Sequence, residues 1–346
     1  MQPQNVTDPR LELLARWLAE VLGQAPERVA PASADASFRR YFRAVSGGRS
    51  WVAMDAPPQQ EDTGPYLRVA TLLSRQGVNV PAVLAQDAQN GFLLLSDLGT
   101  LQLLDALRNG ADPARMYSDA IAMLIRLQRT PLAAAAGLPR YDAAQLRREM
   151  MLLPEWFIAR HLGLTLAPSE ERVVLAAFDF LERAALAQPA VLVHRDYHSR
   201  NLMVVESDNP GVLDFQDATV GAVTYDLVSL LKDCYIRWPR ERVTGWVDEY
   251  RARAEEAGIP VGADRSAFLR DFHLMGLQRH LKVLGIFARL WYRDGKPGYL
   301  RDLPLVLDYT LEVTGAFEEL REFDQLFRER LVPAFQPAQA RALAAA

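Results

Sequence analysis

The chain has 346 residues, 50% hydrophobic and 24% charged, which is globular composition and excludes a disordered or fibrous chain. A net charge of -4, from 39 Lys and Arg against 43 Asp and Glu, argues against nucleic acid or an anionic membrane as the main partner, since both reward a basic surface. The single cysteine, Cys234, and five histidines allow neither an intramolecular disulfide nor a Cys/His zinc cluster, so a reducing, cytoplasmic setting is expected.

In chain order, Asp8 and Pro9 read as the N-cap and first position of a helix. Leu11, Leu14, Ala15, Leu18, Val21 and Leu22 carry its apolar face, and Gly23 ends it. Two strand-like runs follow at residues 37–45 and 50–54, and Gly47 and Gly48 supply the positive φ of a tight hairpin between them. A helix is predicted over residues 65–76. A second hairpin is predicted in VPAVLAQDAQNGFLLLSDLG, with Asn90-Gly91 as a type I′ turn. From Leu101 to about Leu186 the spacing is helical. Residues 191–215 revert to short apolar runs, VLVH, NLMVV and GVLDF, before helices resume. The Ala-rich tail, residues 342–346, is expected to fray. The N-terminus shows no signal region, and no apolar run approaches the roughly 18 residues of a membrane span. The expected fold class is therefore α+β: a small antiparallel β lobe, residues 1–97, then a larger helical lobe, residues 98–346. Between such lobes a ligand would naturally bind.

The stretch carrying chemistry is HRDYHSRN, residues 194–201, followed by LDFQDA, residues 213–218. Asp196, Asn201 five residues later, and Asp214 after a short apolar run reproduce the kinase order HRDxxxxN plus a metal-binding aspartate, an order that resembles that of the protein-kinase-like two-lobed fold. Phosphoryl transfer explains each residue. Asn201 and Asp214 offer the hard oxygen ligands that Mg2+ on ATP requires, and Asp196 can orient the acceptor hydroxyl and take its proton.

With these motifs the chain resembles the aminoglycoside phosphotransferase and choline kinase branch of that fold. The resemblance implies that Asp226, in VTYDLVSLLKD, is a buried carboxylate accepting backbone N–H bonds from the catalytic loop. ASFRRYFR, LLLSDLG, GVLDFQDA and the segment from His273 to Pro304 further resemble the bacterial anomeric kinases of N-acetylmuramate and N-acetylglucosamine, a family of cell-wall sugar recycling. That implies transfer of the γ-phosphoryl of ATP to the C1 hydroxyl and a product passed to a nucleotidyltransferase, with a monomer expected.

One departure stands out. Where kinases carry a lysine on the third strand, WVAMD offers Met54 or Asp55, and the helix at 65–76 has no glutamate to pair with it. Ser37, Arg39, Arg40 and Arg43 are the candidates to meet the phosphates instead, with strand parity placing Arg39 and Arg43 on one face and Arg40 on the other. Backbone groups of Leu95, Ser96 and Asp97 are the candidates for adenine. Asp217 is a candidate for metal or sugar. Residues 232–301 hold 14 Lys and Arg against 9 Asp and Glu, a balance favouring a neutral or anionic acceptor over a polycationic one. Arg279 and His280 are the candidates for the acceptor. Two other readings fit the same residues: a kinase of another small molecule (an aminoglycoside, choline or homoserine), or a catalytically silent nucleotide-binding protein.

Overall fold

A computed structural model describes residues 8–34 and 38–346; Ser37 lies outside the described residues. The chain forms two compact units, Met1–Gln102 with Met203–Asp217, and Leu103–Leu202 with Ala218–Ala346. This differs from the single cut expected after residue 97, because the segment that follows the HRDYHSRN loop returns to the first unit.

In the first unit, helix α1 (Pro9–Leu22) begins where the Asp8 carboxylate accepts from the N–H groups of Arg10 and Leu11, both at 3.1 Å, and ends at Gly23, φ 74°. Strands β1 (Arg28–Ala34), β2 (Arg40–Ser46), β3 (Arg49–Asp55), β4 (Val83–Asp87) and β5 (Phe92–Ser96) form one antiparallel sheet in the order β1-β2-β3-β5-β4. Ser46 pairs with Arg49, so Gly47 (φ 56°) and Gly48 (φ 73°) make a two-residue turn with both φ positive, the form that matches strand twist. Leu14 and Leu18 of α1 pack on Phe42, Ala44, Ala53, Phe92 and Leu94, which occupy one face of the sheet by alternation. Each of those leucines contributes about 1.5–3 kcal/mol by burial. Arg40 and Asp55, directly paired across β2 and β3, share that α1-covered face. Tyr41, Arg43, Val52 and Met54 therefore take the other.

Strand β1 was not expected. It lies at the sheet edge, where Pro31 is tolerated, and its register shifts between Pro31 and Ser33, which breaks the alternation a sequence reading relies on. The second hairpin forms, but its turn is not type I′. Asp87 pairs with Phe92 across a four-residue loop in which Gly91 (φ 72°) but not Asn90 has positive φ, and the Asp87 carboxylate accepts from Asn90 N at 3.0 Å and Nδ2 at 2.7 Å. A Cβ on Gly91 would stand 1.9 Å from the Ala56 carbonyl oxygen, so only glycine fits there. Helix α2 (Gly64–Arg75) joins β3 to β4 and buries Tyr66, Val69, Ala70 and Leu73.

The second unit is helical: α3 (Leu103–Arg108), α4 (Pro113–Gln128), α5 (Ala143–Met150), a helical segment Leu153–His161, and α6 (Pro168–Leu186). Strand β6 (Ala190–Val193) then leads into the HRDYHSRN loop. Short strands β7 (Leu202–Met203), at the boundary of the units, and β8 (Gly211–Val212), in the first, pair with each other, and β9 (Thr219–Ala222), back in the second, pairs antiparallel with β6. Helices α7 (Tyr225–Leu231), α8 (Arg240–Glu256), α9 (Arg265–Tyr292) and α10 (Leu303–Thr314) follow. At 28 residues α9 is the axis of this unit, about 42 Å long. Leu274, Leu277, Leu281, Leu284 and Phe287 join one core with Met150, Leu153, Phe157, Phe178, Leu303 and Val306. A final helix runs Val332–Ala344 with Ala342 5% exposed, so the expected fraying is confined to the last two residues. Alanine's helix propensity and the burial of Ala342 explain the difference. Among the described residues no helix is long and apolar enough to cross a membrane.

Candidate active site

The loop His194–Asn201 leaves β6 and is tied at two points by carboxylates buried in the second unit. Asp226, in the first turn of α7 and fully buried, accepts from the backbone N–H of His194 at 2.6 Å and of Arg195 at 3.0 Å. Arg195 adopts φ 78°, a left-handed conformation costly for a side-chain-bearing residue, and these bonds hold it there. Asp233, also fully buried, accepts from Ser199 N at 3.0 Å and Ser199 Oγ at 2.5 Å. The loop closes on itself through Asn201 N–H to His198 O at 2.9 Å.

Between these ties stands Asp196. Burial raises its carboxyl, but the nearby charges of Lys282, His198, Arg279 and Arg195 outweigh that and hold it below the ordinary carboxylate range. It is therefore an ionised acceptor at neutral pH. Two of these, Arg195 and Lys282, are fixed in turn by Glu149 of α5, which takes Arg195 Nη2 at 2.5 Å, Lys282 Nζ at 3.3 Å and Gln145 Nε2 at 2.8 Å, together with the Tyr141 hydroxyl. Glu149, Lys282 and Asp233 were missed in the sequence. Lys282 had no signal in the sequence, because only the fold shows that Leu274 to Gly285 is buried on all sides, which obliges the polar residues of that run to find partners.

Of the acceptor candidates on α9, His280 is corrected. It is fully buried, its Nε2 meets the Lys232 carbonyl at 3.1 Å, and its ring stacks on Tyr309 at 4.9 Å between centroids. Burial lowers its pKa to about 3, so it is a neutral core imidazole. Arg279, 4% exposed, donates to Cys234 Sγ at 3.3 Å and lies within electrostatic reach of Asp196.

In the first unit, Asp214 has φ 61° and accepts from Gln216 Nε2 at 2.7 Å. Phe215 is buried against Tyr66 of α2, ring centroids 4.8 Å apart. Burial and Tyr41 push the Tyr66 phenol up, Arg39 pulls it down and Asp214 raises it, so the charges of Arg39 and Asp214 are both felt at this phenol. Asp217, next along, is exposed. Arg40 is corrected: it donates to Asp55, Nε to Oδ2 at 3.0 Å, and to Asp8, on the face that α1 covers. Asp55 also takes Arg10, so at this position the sheet carries a buried carboxylate between two arginines. Arg43 is corrected as well, being clamped to Asp97 at 2.6 and 3.0 Å and to the Gly99 carbonyl at 2.8 Å. Although burial raises the Asp97 carboxyl, the bonds from Arg43, Ser50 and Gly99 together hold it below its ordinary value. For adenine, Leu95 is enclosed in the ladder between Val52 and Val83, and Ser96 N–H already donates to Ala82 O at 2.9 Å. Asp97 is the first of the three whose backbone lies past the strand.

Asn201 Nδ2 donates to the Asp196 carbonyl at 3.0 Å, which leaves the amide oxygen as an acceptor of the kind a divalent cation takes, and Asp214, in the first unit, carries a carboxylate of the same kind. Among the described residues no cluster of three or more His, Cys, Asp or Glu is placed to hold a metal.

Asp226 gives the loop a pH dependence. Burial raises its carboxyl to about 6 against the pull of His194 and the two N–H bonds. As pH falls through about 6 the carboxyl gains a proton and loses acceptor capacity, so the loop loses a tie. We expect kcat to fall on the acid side with an apparent pKa near 6, and Asp226→Asn, with one acceptor oxygen, to be slow throughout and to lack that limb. A rate level between about pH 5 and 7 would contradict this.

A five-stranded antiparallel β unit, a helical unit with an HRD loop anchored by two buried carboxylates, and an aspartate after a short β return are the features of a kinase-like phosphotransferase. The Phosphotransferase enzyme family matches residues 28–268, and the chain belongs to it. Among its relatives is the N-acetylmuramate/N-acetylglucosamine kinase of Pseudomonas putida, 49% identical over 93% of this chain and 97% of that one. The protein of the same name in Neisseria meningitidis is 45% identical over 89% and 92%. In fold the chain is similar to a choline kinase of Streptococcus pneumoniae, TM-score 0.60 with 9% identity over 88% of this chain and 100% of that one. It is equally similar to an aminoglycoside 2′-phosphotransferase solved with GDP, TM-score 0.60 with 18% identity over 88% and 99%. Membership implies nucleotide use, a divalent metal and a small-molecule hydroxyl as acceptor.

Proposed function

We propose that the chain transfers the γ-phosphoryl group of ATP to the anomeric C1 hydroxyl of N-acetylmuramate and N-acetylglucosamine. The observation that carries this is the ionised Asp196, set among fixed cations on a loop anchored by Asp226 and Asp233. The names borne by relatives at 45–49% identity supply the acceptor. In this reading Asp196 accepts the proton of the C1 hydroxyl, while Asn201 and Asp214 are the oxygen ligands of Mg2+. Bound Mg-ATP supplies the transferable phosphoryl group and neutralises part of its charge. Backbone groups at Asp97 meet adenine, Arg39 meets phosphate, Asp217 serves the acceptor side, and Arg279, buried against Cys234, acts on Asp196 through its charge. The chain acts as a monomer in the cytoplasm, and its sugar 1-phosphate passes to a nucleotidyltransferase.

The anomeric assignment is tested with acceptors blocked at one position. ADP release should be rapid with N-acetylglucosamine and absent with its 1-O-methyl glycoside, while a 6-O-methyl derivative stays active. Turnover of the 1-O-methyl glycoside would overturn it.

A further inference from the structure

We infer that Arg200 reads a carboxylate on the acceptor and so sets the preference between an acidic amino sugar and its neutral counterpart. The inference deepens the amino-sugar kinase reading and rests on it. Arg200 belongs to the same loop as Asp196, four residues later and directly before Asn201. Its guanidinium carbon lies 3.6 Å from the Tyr235 ring centroid and 6.0 Å from that of Tyr299. The two rings are themselves braced by Phe287, with centroids 6.2 and 5.1 Å away. Stacking engages the flat face of a guanidinium and leaves its in-plane N–H groups for another partner. Here that partner is missing: the Arg200 side chain is 35% exposed, its one ion pair is to Asp302 at 3.9 Å, and among the described residues nothing accepts a hydrogen bond from it.

The other cations near Asp196 are committed. Arg195 and Lys282 are held by Glu149, and Arg279 is buried with a bond to Cys234. Arg200 is thus the loop cation with accessible donors and a fixed plane, which is what two-point recognition of a carboxylate requires. It also stays near the reacting group, because the His198 ring, which feels the charge of Asp196, lies 5.4 Å from the Tyr235 ring on which Arg200 stacks. An amino sugar with an ether-linked carboxylate a few bonds from its C1 hydroxyl has the matching chemistry. N-acetylglucosamine, which lacks the carboxylate, does not.

The test is the ratio of kcat/KM for N-acetylmuramate to that for N-acetylglucosamine, which does not depend on how much of a variant is folded. Arg200→Ala should lower this ratio by about 10- to 100-fold, carried by KM for N-acetylmuramate, and Arg200→Lys, which keeps the charge without the fork, should fall between. A ratio unchanged in both variants overturns the inference and leaves the kinase reading standing. Failure of the parent protein to phosphorylate either sugar overturns both.

Discussion

Asp196→Asn is expected to lose about 10²-fold or more in kcat while binding nucleotide as the parent does. Lys282, His198, Arg279 and Arg195 keep the Asp196 carboxyl ionised in spite of its burial, so it can accept a proton as the hydroxyl attacks. The amide is nearly isosteric but cannot take that proton. The anchors at Asp226 and Asp233 bind the loop backbone and Ser199 rather than the Asp196 side chain, so the loop should keep its shape. Nucleotide affinity by calorimetry separates the roles. A lost rate with intact affinity marks Asp196 as the proton acceptor, a loss of both would mean that its charge holds the loop together, and near-parental rates would remove it from the chemistry.

The second large effect is expected at Arg39. Phosphoryl transfer is driven by positioning and electrostatics, and the third strand presents Met54 where the kinase pattern has a lysine. Of the three arginines, Arg40 is held by Asp8 and Asp55 under α1, and Arg43 by Asp97 and Gly99. The charge of Arg39, like that of Asp214, is felt at the Tyr66 phenol. Arg39→Ala should therefore cost about 10²-fold in kcat/KM, the size expected on removing one well-placed donor. Arg40→Ala should instead lower thermal stability, by about 1–3 kcal/mol, because it takes one of two cations from a fully buried Asp55. Steady-state kinetics beside thermal unfolding distinguish them. A silent Arg39→Ala variant would leave metal and backbone as the only holders of the phosphates.

What was legible in the sequence was local. The first hairpin follows from Gly47-Gly48 between alternating strands, the first helix from Asp8, Pro9 and Gly23, and the division of Arg43 from Arg40 from a period of two. Partners set by the fold were not legible. Asp8 and Asp55 lie 32 and 15 residues from Arg40, and Asp97 lies 54 from Arg43, so nothing in the ASFRRYFR segment reveals which of its cations are committed. The same holds for Glu149, which meets Arg195 from 46 residues away and read only as a polar position on a helix. His280 was misplaced because the helical period alone does not show that α9 is enclosed on every side. Strand β9 was missed because four residues, Thr219–Ala222, carry too little pattern to separate strand from loop.

In the proposed reaction the phosphoryl group goes to the C1 oxygen of an N-acetyl amino sugar. Phosphorus NMR of the parent protein with ATP, Mg2+ and N-acetylmuramate tests it most directly, because the site of attachment is read from the coupling of the new phosphorus signal to sugar protons. The account predicts a single phosphomonoester coupled to the proton on C1, and the same with N-acetylglucosamine. A product coupled to the C6 protons, or ATP left intact beside both sugars, would contradict it.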